Sequence, residues 1–374
     1  MKTKKYRGIL LLSVLALGML GQATLSFAEE ENSVNSKGDI YFYEDTRPEL
    51  PVDPEDPDKP VAPEEPTDST EGPLSIDYVP NFHFGSRRIA VSGMTYGAKY
   101  NRMKPVKIYE KNEAGEFVPA TRFNRESLKE GEELEKLSEV TENRDQLYYK
   151  VKVYEDDKLK EESYLPITHI LKEGEKLEYD DNLELVRHYV QVSDKRGSSG
   201  KWELKVKQDS QFTGNRVKDE ETNEMYKLDG AVLRLAAAED GAIVGNSQNG
   251  GVKPEDILGV NMQEINIEPG EAQVVMKYGA ESSTGGIGTW VYRFGKAPYD
   301  KKAEWEQKYN GSYKDAVKKD LGVEAPGVTN QLQILPRWYP DNKEGVTLEV
   351  PAGANPQKDT LYETKLTWTL ATAE

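Results

Sequence analysis

The sequence of 374 residues contains no cysteine. A disulfide, a lipid-bearing cysteine and a nucleophilic thiol are therefore excluded. Histidine is scarce as well, since only His83, His169 and His188 occur, and they are scattered without an H-E-x-x-H spacing. We accordingly predict no catalytic residue, no metal site and no cofactor, and we interpret the protein as non-enzymatic.

Long apolar runs are also missing, with one exception near the start. Residues 9–20 are apolar and follow Lys2, Lys4, Lys5 and Arg7, and small residues stand at 26 and 28. A run of this length is shorter than the roughly 20 residues that a membrane-spanning helix needs. The pattern is typical of a secretory signal peptide. We predict that residues 1–28 are removed, that the protein is secreted and that no segment inserts into a membrane.

Basic residues are outnumbered, with 49 Lys and Arg against 66 Asp and Glu. Residues 1–28 carry four basic and no acidic side chains, so their removal takes the formal charge from −17 to −21. A field of this sign repels nucleic acid, anionic lipid and wall teichoic phosphate. Binding to any anionic polymer would therefore depend on short-range contacts or bridging cations. No Asp-x-Asp-x-Asp-Gly calcium loop is present.

An acidic, proline-rich segment follows the leader. Large apolar side chains are almost absent between residues 44 and 71, and this composition predicts a disordered linker over residues 29–72. Its prolines recur every third residue, which matches the three residues per turn of polyproline II. Such a rod would extend about 55 Å. The prolines are Pro48, Pro51, Pro54, Pro57, Pro60, Pro63 and Pro66.

The remainder, residues 73–374, is dominated by apolar residues that alternate with polar ones. Alternation with a period of two predicts β-strands with one buried face. Glycine, asparagine, aspartate and proline clusters separate these runs, so we predict an all-β fold, an antiparallel β-sandwich of the Greek-key or immunoglobulin-like type. The predicted same-face groups are Leu74, Ile76 and Tyr78; Val190 and Val192; Leu233 and Leu235; Trp290, Tyr292 and Phe294; and Leu348 and Val350.

Two stretches interrupt this pattern. Residues 101–181 are charged but include the alternating run 147–153, which predicts a β-rich insert. Residues 298–322 place Ala303, Trp305 and Tyr309 at helical spacing around Asn310-Gly311, which predicts a short helical insert. Trp305 and Trp338 are candidates for stacking on sugar rings if they are exposed.

Two Trp-x-Leu triplets lie in alternating runs. In the first, Trp202 and Leu204 share a face with Val206, and in the second, Trp368 and Leu370 share a face with Leu366. From the residues alone, these are half-buried strands whose tryptophans belong to the core.

The two triplets and their flanking residues resemble those of the WxL-domain surface proteins of low-GC Gram-positive bacteria. The signature of that family is two Trp-x-Leu motifs, the second very near the C-terminus. The segments 74–79, 290–295 and 350–356 extend the resemblance, which runs from residue 74 to the C-terminus with the two inserts as departures.

The resemblance implies a cell-wall protein that binds peptidoglycan non-covalently. It also implies assembly with other WxL proteins and with a membrane-anchored WxL-interacting protein. The signature residues Trp202, Leu204, Trp368 and Leu370 would then hold the sandwich together or contact the wall directly.

The sequence also bears on three other functions. Sortase anchoring is not expected, because Leu165-Pro166-Ile167-Thr168 lacks the following glycine and lies mid-chain. An adhesin that binds a host or matrix protein through the 101–181 insert stays an alternative, since binding residues concentrate on loops of rigid scaffolds. A wall glycan hydrolase is a further alternative, because carboxylates are plentiful.

Overall fold

The computed structural model describes residues 46–65, 67–90, 92–120, 147–167, 169, 171–179, 184–196, 200–247, 249, 252–259, 264–279, 287–298 and 341–373. The predicted signal peptide, residues 299–322 of the predicted helical insert with Trp305, and Trp338 all lie outside these ranges. Helical structure within them is limited to the 3-10 turn Pro254–Asp256 and one further 3-10 residue, Pro298. No helix in the described ranges is long and apolar enough to cross a membrane.

The described residues form twenty-four strands. The first eleven are β1 (Val52–Asp53), β2 (Asp56–Pro63), β3 (Leu74–Tyr78), β4 (Met94–Lys99), β5 (Asn101–Pro105), β6 (Ile108–Lys111), β7 (Phe117–Pro119), β8 (Leu147–Glu155), β9 (Lys158–Pro166), β10 (Glu175–Leu177) and β11 (Glu184–Val186). The remaining strands are β12 (Tyr189–Asp194), β13 (Lys201–Gln208), β14 (Thr213–Asp219), β15 (Glu224–Lys227), β16 (Val232–Ala236), β17 (Ile243–Gly245), β18 (Ile257–Gly259), β19 (Glu264–Ile267), β20 (Ala272–Tyr278), β21 (Gly288–Arg293), β22 (Asp341–Val350), β23 (Tyr362–Glu363) and β24 (Leu366–Ala373).

Three four-stranded sheets surround the main core. The central sheet has the order β17-β21-β12-β3, the signature sheet β18-β20-β13-β24, and the third sheet β19-β16-β22-β4. Every strand pair in them is antiparallel. A smaller sheet has three strands in the order β15-β14-β23. The prediction of an all-β, antiparallel fold is confirmed, and the layers are consistent with a β-sandwich.

Alternation explains how the three sheets share one core. Along β13 the burial alternates, with Trp202, Leu204 and Val206 fully buried and the residues between them more exposed. The central sheet contributes Val190 and Trp290 to the same cluster. Because apolar burial is the main favourable term in folding, this shared cluster is what fixes the sheets together.

The central sheet is buried on both faces. All six residues of β12 are buried, and Tyr189 packs in a second cluster on the opposite side from Val190 and Val192. The prediction that Leu74, Ile76 and Tyr78 share a face is wrong. The pairing of β3 with β12 shifts by one residue between Ile76 and Tyr78, a β-bulge that turns Tyr78 into the second cluster.

The second cluster is covered by residues predicted to be a disordered linker. Residues 46–65, which we call the strap, contribute β1 and β2 to a four-stranded sheet of order β1-β2-β5-β11. Val52 and Val61 of the strap are buried against Tyr78 and Tyr189. The predicted polyproline spacer is therefore corrected over residues 52–63, and residues 29–45 lie outside the described ranges.

The strap is ordered by polar contacts that composition does not reveal. The backbone N–H of Glu49 donates to Asp77 at 3.0 Å, and that of Val52 donates to Gln191 at 2.9 Å. Gln191 in turn donates to the carbonyl of Leu50 at 2.9 Å. Buried side chains of the central sheet thus satisfy strap backbone groups that a solvated rod would leave to water.

The predicted β-rich insert at 101–181 is present in the described residues. Strand β5 belongs to the strap sheet, whereas β6 to β10 form a separate insert sheet in which β8 pairs with β6, β9 and β10. Asp156 and Asp157 make the two-residue turn between β8 and β9. Their φ values of 49° and 56° are both left-handed, as the two central positions of a type I′ turn require. Tyr149 and Val151 of β8 are fully buried beneath the sheet.

Candidate functional site

The two signature triplets lie on neighbouring strands. In the antiparallel pair β13 and β24, Leu204 faces Leu370 and Val206 faces Trp368. Directly opposite residues share a face of a sheet, so the two triplets form a single apolar surface. The ladder therefore joins two strands that are far apart in the sequence, Lys201–Gln208 and Leu366–Ala373.

The two triplets differ in burial. Trp202 and Leu204 are both 0% exposed, whereas Trp368 and Leu370 are partly buried and pack against the edge of the same core. The reason is that β13 lies between β20 and β24, while β24 is the outer strand of the signature sheet. Of these four side chains, those of Trp368 and Leu370 are the ones that reach solvent.

The fold places a cluster of charged side chains, with two buried arginines and the exposed Asp240, where the strap meets the central sheet. The Arg187 guanidinium, which is 0% exposed, binds both carboxylate oxygens of Glu55 at 2.5 and 3.0 Å. It also binds both carboxylate oxygens of Asp240 at 2.7 Å. Arg293 donates a further bond to Glu55 at 3.0 Å. These contacts hold the pKa of Asp240 at about 2, mainly through the hydrogen bond from Arg187.

Asp77 is a second polar centre beneath the strap. Burial is the largest influence on its carboxyl group and raises the pKa to about 6, against hydrogen bonds that lower it. The hydroxyls of Ser75 and Ser193 donate to its two oxygens at 2.8 and 2.6 Å, and Gln191 donates at 3.2 Å. This carboxyl group joins β3, β12 and the strap.

The three histidines are not brought together. His188 is buried, which lowers its pKa to about 3, and its Nδ1 lies 3.2 Å from the Asn342 amide. The Nε2 of His83 lies 2.6 Å from Glu65, and that of His169 lies 2.9 Å from Glu175. Across the described residues, no three His, Asp or Glu side chains are grouped as metal ligands would be.

A small polar pocket lies where the strap ends. Glu64, Glu65, His83 and Arg102 are among its lining residues, and its volume is about 30 Å³. Burial raises the pKa of Glu64; burial also acts to raise that of Glu65, but hydrogen bonds, chiefly from His83, lower it overall. A space of this size holds about one water molecule and no sugar ring. The pair of carboxyl groups therefore has no room for a glycan substrate.

Sequence reasoning missed a surface on the insert sheet. Along β8, Tyr148, Lys150 and Lys152 alternate with the buried Tyr149 and Val151. Side chains of alternate residues point to opposite faces, so these three project away from the insert core. Alternation in residues 147–153 predicts the strand, but it does not reveal which neighbouring strands extend its outer side.

We call this surface the aromatic-lysine face. Strand pairing adds Tyr109 opposite Tyr148, Tyr164 opposite Lys150, and both Glu162 and Lys176 opposite Lys152. Lys111 and Phe117, which are paired across β6 and β7, also belong to it, as do Lys107 and Glu178, whose charged groups lie 3.6 Å apart. Its aromatic members are Tyr109, Phe117, Tyr148 and Tyr164.

The four rings contact one another and remain partly open to solvent. Phe117 stacks on Tyr164 with centroids 4.1 Å apart and an interplanar angle of 4°. Tyr148 meets Phe117 edge-on at 5.0 Å, and Tyr109 meets Tyr164 edge-on at 5.0 Å. The Lys111 ammonium lies 5.1 Å from the Phe117 centroid. All four rings are half-buried, so each keeps part of its surface available.

Comparison with known proteins gives one family. A family model described as "WxL domain surface cell wall-binding" matches residues 29–121 and 152–373. The match includes the strap and most of the two stretches that were expected to depart from the family, and it omits residues 122–151, which include the first half of β8. No curated protein and no solved structure matches the chain.

Proposed function

Because the chain belongs to the WxL family of surface cell-wall-binding domains, we propose that it binds peptidoglycan non-covalently. Membership of this family shows that the protein is a cell-surface, cell-wall-associated protein whose partner is a cell-wall polymer. The observation that carries the proposal is the family match together with a continuous core that joins both signature triplets. A domain organised in this way offers its partner a rigid surface.

The proposal is tested by co-sedimentation. The mature chain, residues 29–374, and a shorter chain, residues 46–374, are incubated with sacculi stripped of teichoic acid. We expect both to pellet, because residues 46–374 retain the strap and its contacts with the central sheet. An acidic protein of similar size without this domain is the control for trapping. If neither chain pellets above that control, peptidoglycan is not the partner.

We also propose that the protein binds without hydrolysing the wall. The WxL family is a cell-wall-binding family rather than an enzyme family. The pocket that contains Glu64 and Glu65 is too small for a sugar, and the two histidines outside the core pair with separate glutamates. Zymography on peptidoglycan gels should give no cleared band. A cleared band that is lost in Glu65→Gln would contradict this.

Adhesion to a host or matrix protein is the second candidate, and the separate core of the insert sheet favours it. Tyr149, Val151 and Leu177 pack beneath that sheet, apart from the main core. Val106 and Tyr179 face each other across an isolated antiparallel bridge, so a short turn can replace residues 107–178. Loss of host-protein binding with normal wall retention would support an adhesin. Equal loss of both activities would contradict that division.

A further inference from the structure

The aromatic-lysine face differs in charge from the rest of the protein. Glu162 and Glu178 are the acidic side chains that lie among its lysines. The lysines outnumber them five to two, in a chain whose formal charge is −17. A local excess of positive charge on an acidic protein attracts anionic groups at short range. The five lysines are Lys107, Lys111, Lys150, Lys152 and Lys176.

The lysines of this face are not all engaged by carboxylates. Lys150 lies 2.7 Å from Glu162 and 3.6 Å from Glu178. Lys111 and Lys176 contact rings instead: Lys176 lies 4.8 Å from the centroid of Tyr154, and in the described part of the chain neither lysine has a carboxylate partner. Both are exposed. They can therefore accept an anionic ligand without losing an ion pair.

We propose that the aromatic-lysine face binds the carboxylate-bearing amino-sugar strands of peptidoglycan, an inference that rests on the proposed wall binding. Sugar rings present apolar C–H faces that pack on half-exposed aromatic rings. Carboxylates of the wall's stem peptides, and lactyl carboxylates where no peptide is attached, bind the two uncommitted lysines. This pairing answers the difficulty raised by net charge, since the protein approaches the anionic wall through a face that carries both rings and surplus lysines.

The geometry also favours a glycan over a flat protein surface. Rings from β6, β7, β8 and β9 converge in one cluster, because Phe117 and Tyr164 stack although their strands are three strand spacings apart. Strand spacing is about 4.8 Å, so the sheet spans about 14 Å beneath them. The result is a compact patch on the scale of a short oligosaccharide. Specific protein interfaces bury about 800 Å² per partner, which is larger than such a patch.

The first test removes charge and keeps the rings. In the full mature chain, Lys111→Gln is combined with Lys176→Gln, and the matched control combines Lys227→Gln with Lys277→Gln. The control lysines are exposed on β15 and β20, so both double variants change net charge equally. We expect the face variant to bind sacculi about five- to tenfold more weakly, from two exposed ion pairs. The control variant should bind as the wild type does.

A second pair of changes removes ring surface. Tyr148→Leu combined with Tyr164→Leu keeps apolar side chains in the half-buried positions but removes two rings. We expect this double variant to bind sacculi about tenfold more weakly than the wild type does. Its far-ultraviolet circular dichroism spectrum should be unchanged, and its melting temperature should stay close to that of the wild type. Sacculi whose carboxylates have been amidated should bind wild type as weakly as unmodified sacculi bind the lysine variant.

The outcomes separate this inference from the function on which it rests. Wild-type binding together with weaker binding by both face variants supports the proposal. If the wild type binds and both face variants bind equally well, the assignment of wall binding to the aromatic-lysine face is wrong, although wall binding itself stands. Undiminished binding of the wild type to amidated sacculi has the same meaning. Absence of wild-type binding overturns both. Tighter binding of the face to a soluble host protein than to sacculi would assign it to the adhesin alternative instead.

Discussion

In the signature sheet Trp202 is completely enclosed, whereas in the insert sheet four aromatic rings remain half-exposed beside lysines. The difference separates two uses of aromatic residues within one chain. A fully buried ring contributes apolar burial and cannot touch a polymer as large as the wall. A half-exposed ring contributes less to stability and keeps surface for a ligand. The comparison places Trp202 within the scaffold, and under the proposal made above recognition of the wall belongs to the insert sheet.

Replacement of Trp202 should have the largest effect on stability. Trp202→Ala removes a fully buried indole from a core shared by three sheets, so we expect a loss of about 3 to 5 kcal/mol of unfolding free energy. Denaturant unfolding measures it. Trp202→Phe, which leaves a smaller cavity, is the control and should cost less. A loss below about 1 kcal/mol for Trp202→Ala would show that the core collapses around the cavity.

Removal of Glu55 should come next. Glu55→Ala leaves Arg187 with Asp240 alone and deprives Arg293 of its carboxylate, so we expect a loss of about 3 kcal/mol. Limited proteolysis should then cut within residues 46–65. Asp58→Asn is the matched control, because its contact with Ser247 is exposed and it should stay resistant. Equal resistance of both variants would mean that the strap does not depend on the buried arginines.

The second signature tryptophan should matter less than the first. Trp368 is only partly buried on the outer strand β24, so Trp368→Ala should cost about 2 kcal/mol. Unfolding measured in parallel with Trp202→Ala provides the comparison. A cost for Trp368 that equals or exceeds that for Trp202 would mean that β24 is better covered than its position at the edge indicates.

The smallest effect is a dependence on pH. Burial raises the pKa of Asp77 to about 6, above its ordinary value, so the folded state takes up a proton that the unfolded state does not. This group therefore adds stability as the pH falls from 7 to 5, by about 1 kcal/mol. His188, whose pKa is lowered to about 3, acts in the opposite direction in the same range.

The two contributions are separated by comparing the wild type with Asp77→Asn. His188 is common to both proteins and cancels in the difference of unfolding free energies. That difference should move by about 1 kcal/mol in favour of the wild type between pH 7 and pH 5. A difference that is independent of pH would show that Asp77 is ionised throughout, held so by its hydrogen bonds from Ser75, Ser193 and Gln191.

Alternation in the sequence predicted the strands because burial follows it directly. Trp202, Leu204 and Val206 are buried at every second position, and so are Trp290, Tyr292 and Phe294. The strap was not predictable in this way, because Val52 and Val61 are its main buried apolar residues. What orders it is Asp77, Gln191, Arg187 and Arg293, which lie far away in sequence. The amino-acid composition of a segment carries no information about such distant partners.

For the candidate functional residues too, spacing along one strand predicted some features, and others required the folded chain. The signature residues could be predicted to share a face within each strand, but their pairing across β13 and β24 required the register of the sheet. The candidate residues Trp305 and Trp338 lie outside the described ranges, and their stacking role stays a prediction. The aromatic-lysine face depends on five strands meeting, and spacing along one strand reveals only Tyr148, Lys150 and Lys152.

The most direct test of the central claim combines melting temperature with sacculus co-sedimentation for Trp202→Ala and Trp368→Ala. Each variant is assayed at a temperature where it is folded, beside the variant that carries Lys111→Gln and Lys176→Gln. The account predicts lower melting temperatures for both tryptophan variants with wild-type pelleting of the folded protein, and weaker pelleting for the lysine variant. A tryptophan variant that keeps its melting temperature and loses pelleting would contradict it.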